Sequence, residues 1–150
     1  MMCLCAATRH AARVLTRFYE EEFRPANVTP AQFELLATMS ARPGLSQSGL
    51  AENLSIDQTT LSRNLKILIG RRWVTRTGSI KDRRQGIHTL APEGRKALRQ
   101  ALPHWQRAQA RMQEKLGNDW QTIWSALERL SGAMSHDLPH PSANMAASGR

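Results

Sequence analysis

Three helix start signals fall close together at Thr29, Ser46 and Asp57, and they commit this stretch of the chain to short, separately capped helices. Thr29-Pro30-Ala31-Gln32 sets a hydroxyl at the N-cap, a proline at the first helical position and a glutamine at the third. Phe33, Leu36, Ala37 and Met39 give this helix its core face, and Arg42-Pro43-Gly44 ends it. Ser46 caps a shorter helix through Leu54, with Leu50, Ala51 and Leu54 facing inward. After a turn at Ser55-Ile56, Asp57 caps a third helix through Ile69. Its apolar positions 61, 65, 68 and 69 point inward and leave 58, 59, 62, 63 and 66 outward. Two short helices joined by a tight turn, the second with a polar, small-residue face, form a helix-turn-helix pattern.

The sequence then changes character. Trp73-Val74-Thr75-Arg76-Thr77 and Ile87-His88-Thr89-Leu90 have strand composition, and a charged turn from Gly78 to Gly86 joins them. A β-hairpin directly after a helix-turn-helix is a wing. Pro92 opens a helix to Leu116, about 37 Å long at 1.5 Å per residue, with Pro103 predicted to kink it. Gly117 ends that helix, and Asn118 is the expected cap of a last one striped by Trp120, Ile123, Trp124, Leu127, Leu130 and Met134. At the other end, Leu4, Ala7, Ala11, Val14, Leu15, Phe18 and Phe23 follow helical spacing up to Arg24-Pro25. The expected fold is mainly α with a small β-wing.

At 150 residues the chain is long enough for one domain whose core needs neither disulfides nor metal. The net charge is +9, and residues 55–95 hold nine cations against three acids, or +6 of that total. An even spread would serve only solubility. This concentration, on the third helix and the wing, points to a polyanionic partner, because phosphate neutralisation needs cations on the docking face. No apolar run is long enough for a membrane span, and Met1–Ala7 has no separate n- and h-regions, so cytoplasm is the expected compartment. Two cysteines, Cys3 and Cys5, cannot build a disulfide framework or complete a zinc site alone. No Ser/His/Asp arrangement, GxxxxGK loop or HExxH motif occurs, and the histidines are scattered, so neither an enzyme nor a bound cofactor or metal is expected.

The order helix, helix, helix-turn-helix, wing, long helix, helix resembles the MarR family of bacterial transcription regulators over residues 3–136. Lys81-Asp82-Arg83-Arg84 followed by Leu90-Ala91-Pro92-Glu93-Gly94 is similar to the family's D-R-R wing and L-T-x-x-G exit. Leu50-Ala51-Glu52-Asn53-Leu54 and Thr59-Thr60-Leu61-Ser62-Arg63 are similar to its helix-turn-helix. Ala91 stands where the family usually has threonine, which predicts a weaker cap on the long helix, and Arg72 stands near a usual glycine. The resemblance implies one unit over residues 1–136, with dimerisation helices at 3–25 and 92–136 around a winged helix-turn-helix, the DNA-binding module, at 29–91. Residues 137–150 read as a flexible tail.

In that arrangement Ser46, Gln58, Thr59, Thr60, Ser62, Arg63 and Lys66 are expected to face double-stranded DNA, a palindromic operator read by a homodimer. Arginine can grip guanine O6 and N7, glutamine can pair with adenine, and threonine methyls can touch thymine. Arg83 and Arg84 are expected at the minor groove, with Asp82 organising them. The resemblance also implies a cleft for a small aromatic acid, for which His10, Arg13 and Phe33 are the candidate lining residues. Cys3 and Cys5 are candidates for a thiol sensor, against the plainer reading of two thiols at a helix start. The expected function is sequence-specific transcription regulation, as a repressor relieved by a small ligand or an oxidant. The rival is a sequence-tolerant architectural DNA- or RNA-binding protein, which the high pI alone would equally suit.

Overall fold

In the computed structural model, which describes residues 2–78 and 86–135, the three start signals are all engaged. Thr29 Oγ1 accepts the Gln32 N–H at 3.2 Å while the Thr29 N–H donates to Gln32 Oε1 at 3.1 Å, a complete capping box. Ser46 Oγ accepts the Gly49 N–H at 3.1 Å, and Asp57 Oδ1 accepts the Thr60 N–H at 2.9 Å. The elements in chain order are α1 (Leu4–Phe23), α2 (Pro30–Ala41), α3 (Gln47–Leu54), α4 (Gln58–Gly70), β1 (Val74–Thr77), β2 (Ile87–Leu90), α5 (Pro92–Leu116) and α6 (Asp119–Ser135). Helix α1 ends at Phe23, before Arg24-Pro25 as the sequence predicts, and a 3₁₀ turn at Arg24–Ala26 follows it.

Leu35, Leu36 and Met39 of α2 meet Leu50 and Ala51 of α3, Leu61, Leu65 and Leu68 of α4, and Val74, Leu90 and Ala97. This is the core of the helix-turn-helix. The alternation of β1 and β2 places Val74 opposite Leu90 in an antiparallel pair, with both buried. Two expectations are corrected. Ile69 was expected inward, yet it is 40% exposed, because the stripe through 61, 65 and 68 leaves it at the edge. Trp73 was expected in the strand but precedes it, since its N–H donates to the Leu68 carbonyl at 2.9 Å as the chain leaves α4.

A second, smaller core joins Phe23, Val28 and Ala101, with Tyr19, Phe33, Trp73 and Trp105 packed on it. Here α1 lies along α5. Glu22, only 5% exposed, accepts from Arg107 Nε at 2.7 Å and also from Arg111 Nη1, while Gln109 donates to the Tyr19 hydroxyl at 2.9 Å. The Arg107 hydrogen bond, reinforced by Arg111, holds the Glu22 carboxyl below the usual carboxylate range. Helix α5 runs without a break through Pro103, whose ring sits on an exposed face. No described helix is long and apolar enough to cross a membrane. The wing residues Lys81, Asp82, Arg83 and Arg84, together with His136, His140 and the expected tail at 137–150, lie outside the described residues.

The start of α5 has no side-chain cap and is held in place by other contacts. Ala91 gives no side-chain cap. Instead its N–H donates to the Trp73 carbonyl at 2.9 Å, and Arg95 Nη1 donates to the Leu90 carbonyl at 2.7 Å. Gly94 lies so close to the same Trp73 carbonyl that an added Cβ would stand 2.0 Å from the oxygen. Backbone cannot yield as a side chain does, so even a methyl group is overpacked here. Gly94→Ala is expected to destabilise the fold by about 3 kcal/mol, lowering Tm by roughly 10 °C. A thermal melt within 2–3 °C of wild type would contradict this packing.

Candidate nucleic-acid interface

The outward face of α4 is set by the caps before it. With Leu61, Leu65 and Leu68 buried, Thr59, Thr60, Ser62, Arg63 and Lys66 are exposed, and Gln58 is half-buried. Not all of their polar atoms are equally available. The Thr60 hydroxyl donates to Asp57 Oδ2 at 2.6 Å, leaving its methyl group and an oxygen lone pair outward. That bond is the main reason the Asp57 carboxyl is held below its ordinary range. Ser62 Oγ accepts from Gln47 Nε2 at 2.7 Å, which ties α3 to the presented face of α4. Ser46 is half-buried, and its hydroxyl is occupied by the α3 cap and by Ser48 at 3.2 Å. Arg63 and Lys66 take part in none of the ion pairs among the described residues.

The wing reaches this face from the side. Ser46 forms an isolated antiparallel bridge with Ile87, so the base of the hairpin is stitched to the start of α3. Between α3, α4 and the strands lies a pocket of about 460 Å³, whose walls include Gln47, Ser62, Lys66, Arg76 and His88. Gln47 and His88 escaped the sequence reading of this face. Gln47 looked like an ordinary first-turn residue, and His88 occupies an inward strand position where alternation only asks for burial. Arg76 was counted in the charge and in the first strand, but not assigned to this face. Arg83 and Arg84 lie outside the described residues, so the wing tip is not part of this geometry.

A second concavity of about 680 Å³ lies between α1, α2 and α5. Tyr19, Phe23, Phe33 and Trp105 form a ladder of rings along it, with centroids 5.9, 4.8 and 6.2 Å apart in succession. Phe33 is therefore brought to the cleft as expected, whereas His10 and Arg13 are not among the lining residues. They are exposed on the N-terminal half of α1, six and three residues before Thr16, its first lining residue. The charged group on the wall is Glu34, whose carboxyl burial pushes up. Cys3 and Cys5 are exposed free thiols ahead of and within the first turn of α1. Among the described residues no cluster of His, Cys, Asp or Glu is arranged to hold a metal.

The terminal helices keep large apolar groups outside. Val14 and Leu15 of α1 and Ile123, Trp124 and Leu127 of α6 are 41–50% exposed. A winged helix has no use for such a face in its own core.

Comparison with known proteins gives the same architecture. The MarR family model matches residues 26–85. The transcriptional regulator MosR of M. tuberculosis is 32% identical, with a TM-score of 0.78 over 89% of this chain and 96% of that one. MosR in complex with DNA matches at 31% and 0.77, over 90% and 99%. The transcriptional repressor CouR on a 23-mer DNA duplex matches at 31% and 0.76, over 86% and 92%, and CouR with p-coumaroyl-CoA at 28% and 0.73, over 91% and 94%. A comparison with curated proteins gives no match. A capped helix-turn-helix, a strand pair behind it, flanking helices along nearly the whole length and this degree of identity lead to one conclusion: the chain belongs to the MarR family of winged-helix, DNA-binding transcription regulators.

Proposed function

We propose that the protein is a homodimeric, sequence-specific repressor that lays α4 in the major groove and its wing along the adjacent minor groove. The observation that carries this reading is the exposed face of Thr59, Ser62, Arg63 and Lys66, where two cations stand beside small polar groups able to approach base edges. The DNA complexes of MosR and CouR support it. Two such faces in a two-fold dimer would meet half-sites about 34–36 Å apart, within an imperfect palindrome. A sequence-tolerant binder remains the rival, and it separates cleanly in the test. A regulator prefers its selected operator over random duplex by roughly 10³ or more, whereas an architectural protein does not.

The test begins by selecting bound fragments from the source genome. On the operator so obtained, Arg63→Ala is expected to cost about 1–3 kcal/mol more than on random duplex, as for a residue that reads a base. Arg84→Ala is expected to weaken both about equally and to lower the salt slope by about one. Equal effects of Arg63→Ala on the two duplexes would make it a phosphate anchor.

The exposed apolar faces of α1 and α6 are the proposed dimer surface. Replacing both Ile123 and Leu127 by aspartate would set unpaired charges among groups that a partner copy covers. The expected result is a monomer or an aggregate in analytical ultracentrifugation, with loss of operator binding. A monomer that binds the palindrome at wild-type affinity would overturn the dimer.

Release from DNA is proposed to follow either a ligand in the ring-lined cleft or oxidation of the thiols. The ladder from Tyr19 to Trp105 offers a stacking surface for a small aromatic effector. Glu34 on the same wall disfavours a carboxylate there, so the acid group expected from the sequence gives way to a neutral or donor group. For the oxidant arm, residues two apart meet disulfide geometry poorly, so the expected products are a disulfide between subunits or a sulfenic acid. Peroxide is then expected to release operator from wild type but not from the Cys3→Ser, Cys5→Ser double variant, as read by a gel-shift assay. An unchanged peroxide response in the double variant would remove the thiols as the sensor and leave the cleft as the favoured switch.

A further inference from the structure

His88 is 3% exposed, and its Nδ1 is buried without a hydrogen-bond partner. Such an orphan is unusual in a folded protein, where buried polar atoms are paired almost without exception. The imidazole nevertheless lines the pocket between α3, α4 and the wing, where Lys66 and Arg76 supply positive charge and Gln47 and Ser62 supply polar atoms. None of the described residues that line the pocket is a carboxylate. Two cations, two neutral polar groups and one buried titratable ring form a wall suited to an anion with several acceptor oxygens.

We propose that this pocket seats a phosphate-type oxyanion, and that His88 takes up a proton from solvent on Nδ1 as the anion binds. The orphan atom then becomes a donor, and the site gains a third positive charge beside Lys66 and Arg76. Burial and the charged groups around the ring both disfavour the proton before the anion arrives. Lys66 comes from α4 and Arg76 from β1, while α3 contributes only the neutral Gln47 to the wall. Arg95 of α5 is turned to the Leu90 carbonyl, and Glu34 of α2 lines the other cleft. Burial first, and Arg76 second, hold the imidazole below its ordinary range, against a hydrogen bond to the Gly86 backbone that favours the proton. An arriving phosphate reverses the sign of that balance. The same chemistry is offered by a backbone phosphate of DNA and by free phosphate. The inference rests on this face being the DNA face, and its test keeps the two ideas apart.

The test is an imidazole NMR titration of 15N-histidine-labelled full-length protein from pH 5 to pH 8, in a buffer without phosphate. It is run alone, with inorganic phosphate, and with a random-sequence duplex. The His88 pKa is expected to rise by about one unit or more with duplex, which corresponds to about tenfold tighter binding by the protonated form. A rise with duplex alone assigns the seat to a backbone phosphate. A rise with inorganic phosphate assigns it also to the free anion. An unmoved His88 pKa in both arms overturns the proposal, even where the duplex binds well. If the duplex does not bind, the DNA reading fails, and the phosphate arm still decides this one. In parallel, wild-type affinity for duplex is expected to rise several-fold, within the tenfold limit of a one-unit shift, between pH 8 and pH 6, and His88→Leu to remove most of that rise. Full retention of the rise in His88→Leu overturns the proposal, and if that variant does not fold, the wild-type titration stands alone.

Discussion

The carbonyl of Trp73 is the joint on which the two halves of the molecule turn. It accepts the Ala91 N–H and presses on Gly94, so the first turn of α5 is held against the end of α4. The indole packs on both cores, the one inside the helix-turn-helix and the one between α1 and α5. Arg71 adds a lid, with its guanidinium 4.6 Å from the ring centroid and Nη1 donating to the Asn27 carbonyl at 2.8 Å. Trp73, together with Ala97 of α5 in the helix-turn-helix core, therefore connects the terminal helices to α4. That gives a ligand in the ring-lined cleft, where Phe23, Phe33 and Trp105 stand, a short mechanical route to the DNA face.

On the far side of that joint, Glu22 performs the matching task for α1. A buried carboxylate is costly unless it is paired, and two arginines from successive turns of α5 pair it. Both arginines are about half exposed, so solvent screens the attraction, and its value lies in fixing the register of α1 on α5. Because the folded carboxyl is held below its unfolded value, the contribution is present above the ordinary carboxylate range. It is lost as pH falls through the lowered value.

Most of the frame was legible because local chemistry dictated it. Thr29, Ser46 and Asp57 each had a hydroxyl or carboxylate at a helix start, and each became the cap the sequence required. The family resemblance in Gly94 found its physical cause in the Trp73 carbonyl. What stayed hidden depended on distant residues. Nothing near His88 in the chain announces Lys66, and nothing near Phe33 announces that Tyr19 and Trp105, rather than His10 and Arg13, share its cleft. Arg72 shows a middle case. The sequence flagged it as standing near a usual glycine, and its φ of 60° is indeed the left-handed conformation that a glycine would adopt without strain. The chain accepts that strain, of about 1–2 kcal/mol, and keeps a cation where α4 leaves for the wing.

The hydrogen bond between Gln47 and Ser62 divides the α4 face into two thermodynamic kinds of contact. Ser62, held by Gln47, and Thr60, held by Asp57, are already ordered before any partner arrives. Arg63 and Lys66, long and exposed, give up rotamer freedom only on docking, at roughly 0.5–1.5 kcal/mol for each side chain. Shape is thus read by groups that are pre-organised, and charge is delivered by groups that must be immobilised. Cooling reduces the entropic penalty on the second kind and leaves the first untouched, so the balance between fit and attraction at this surface shifts with temperature.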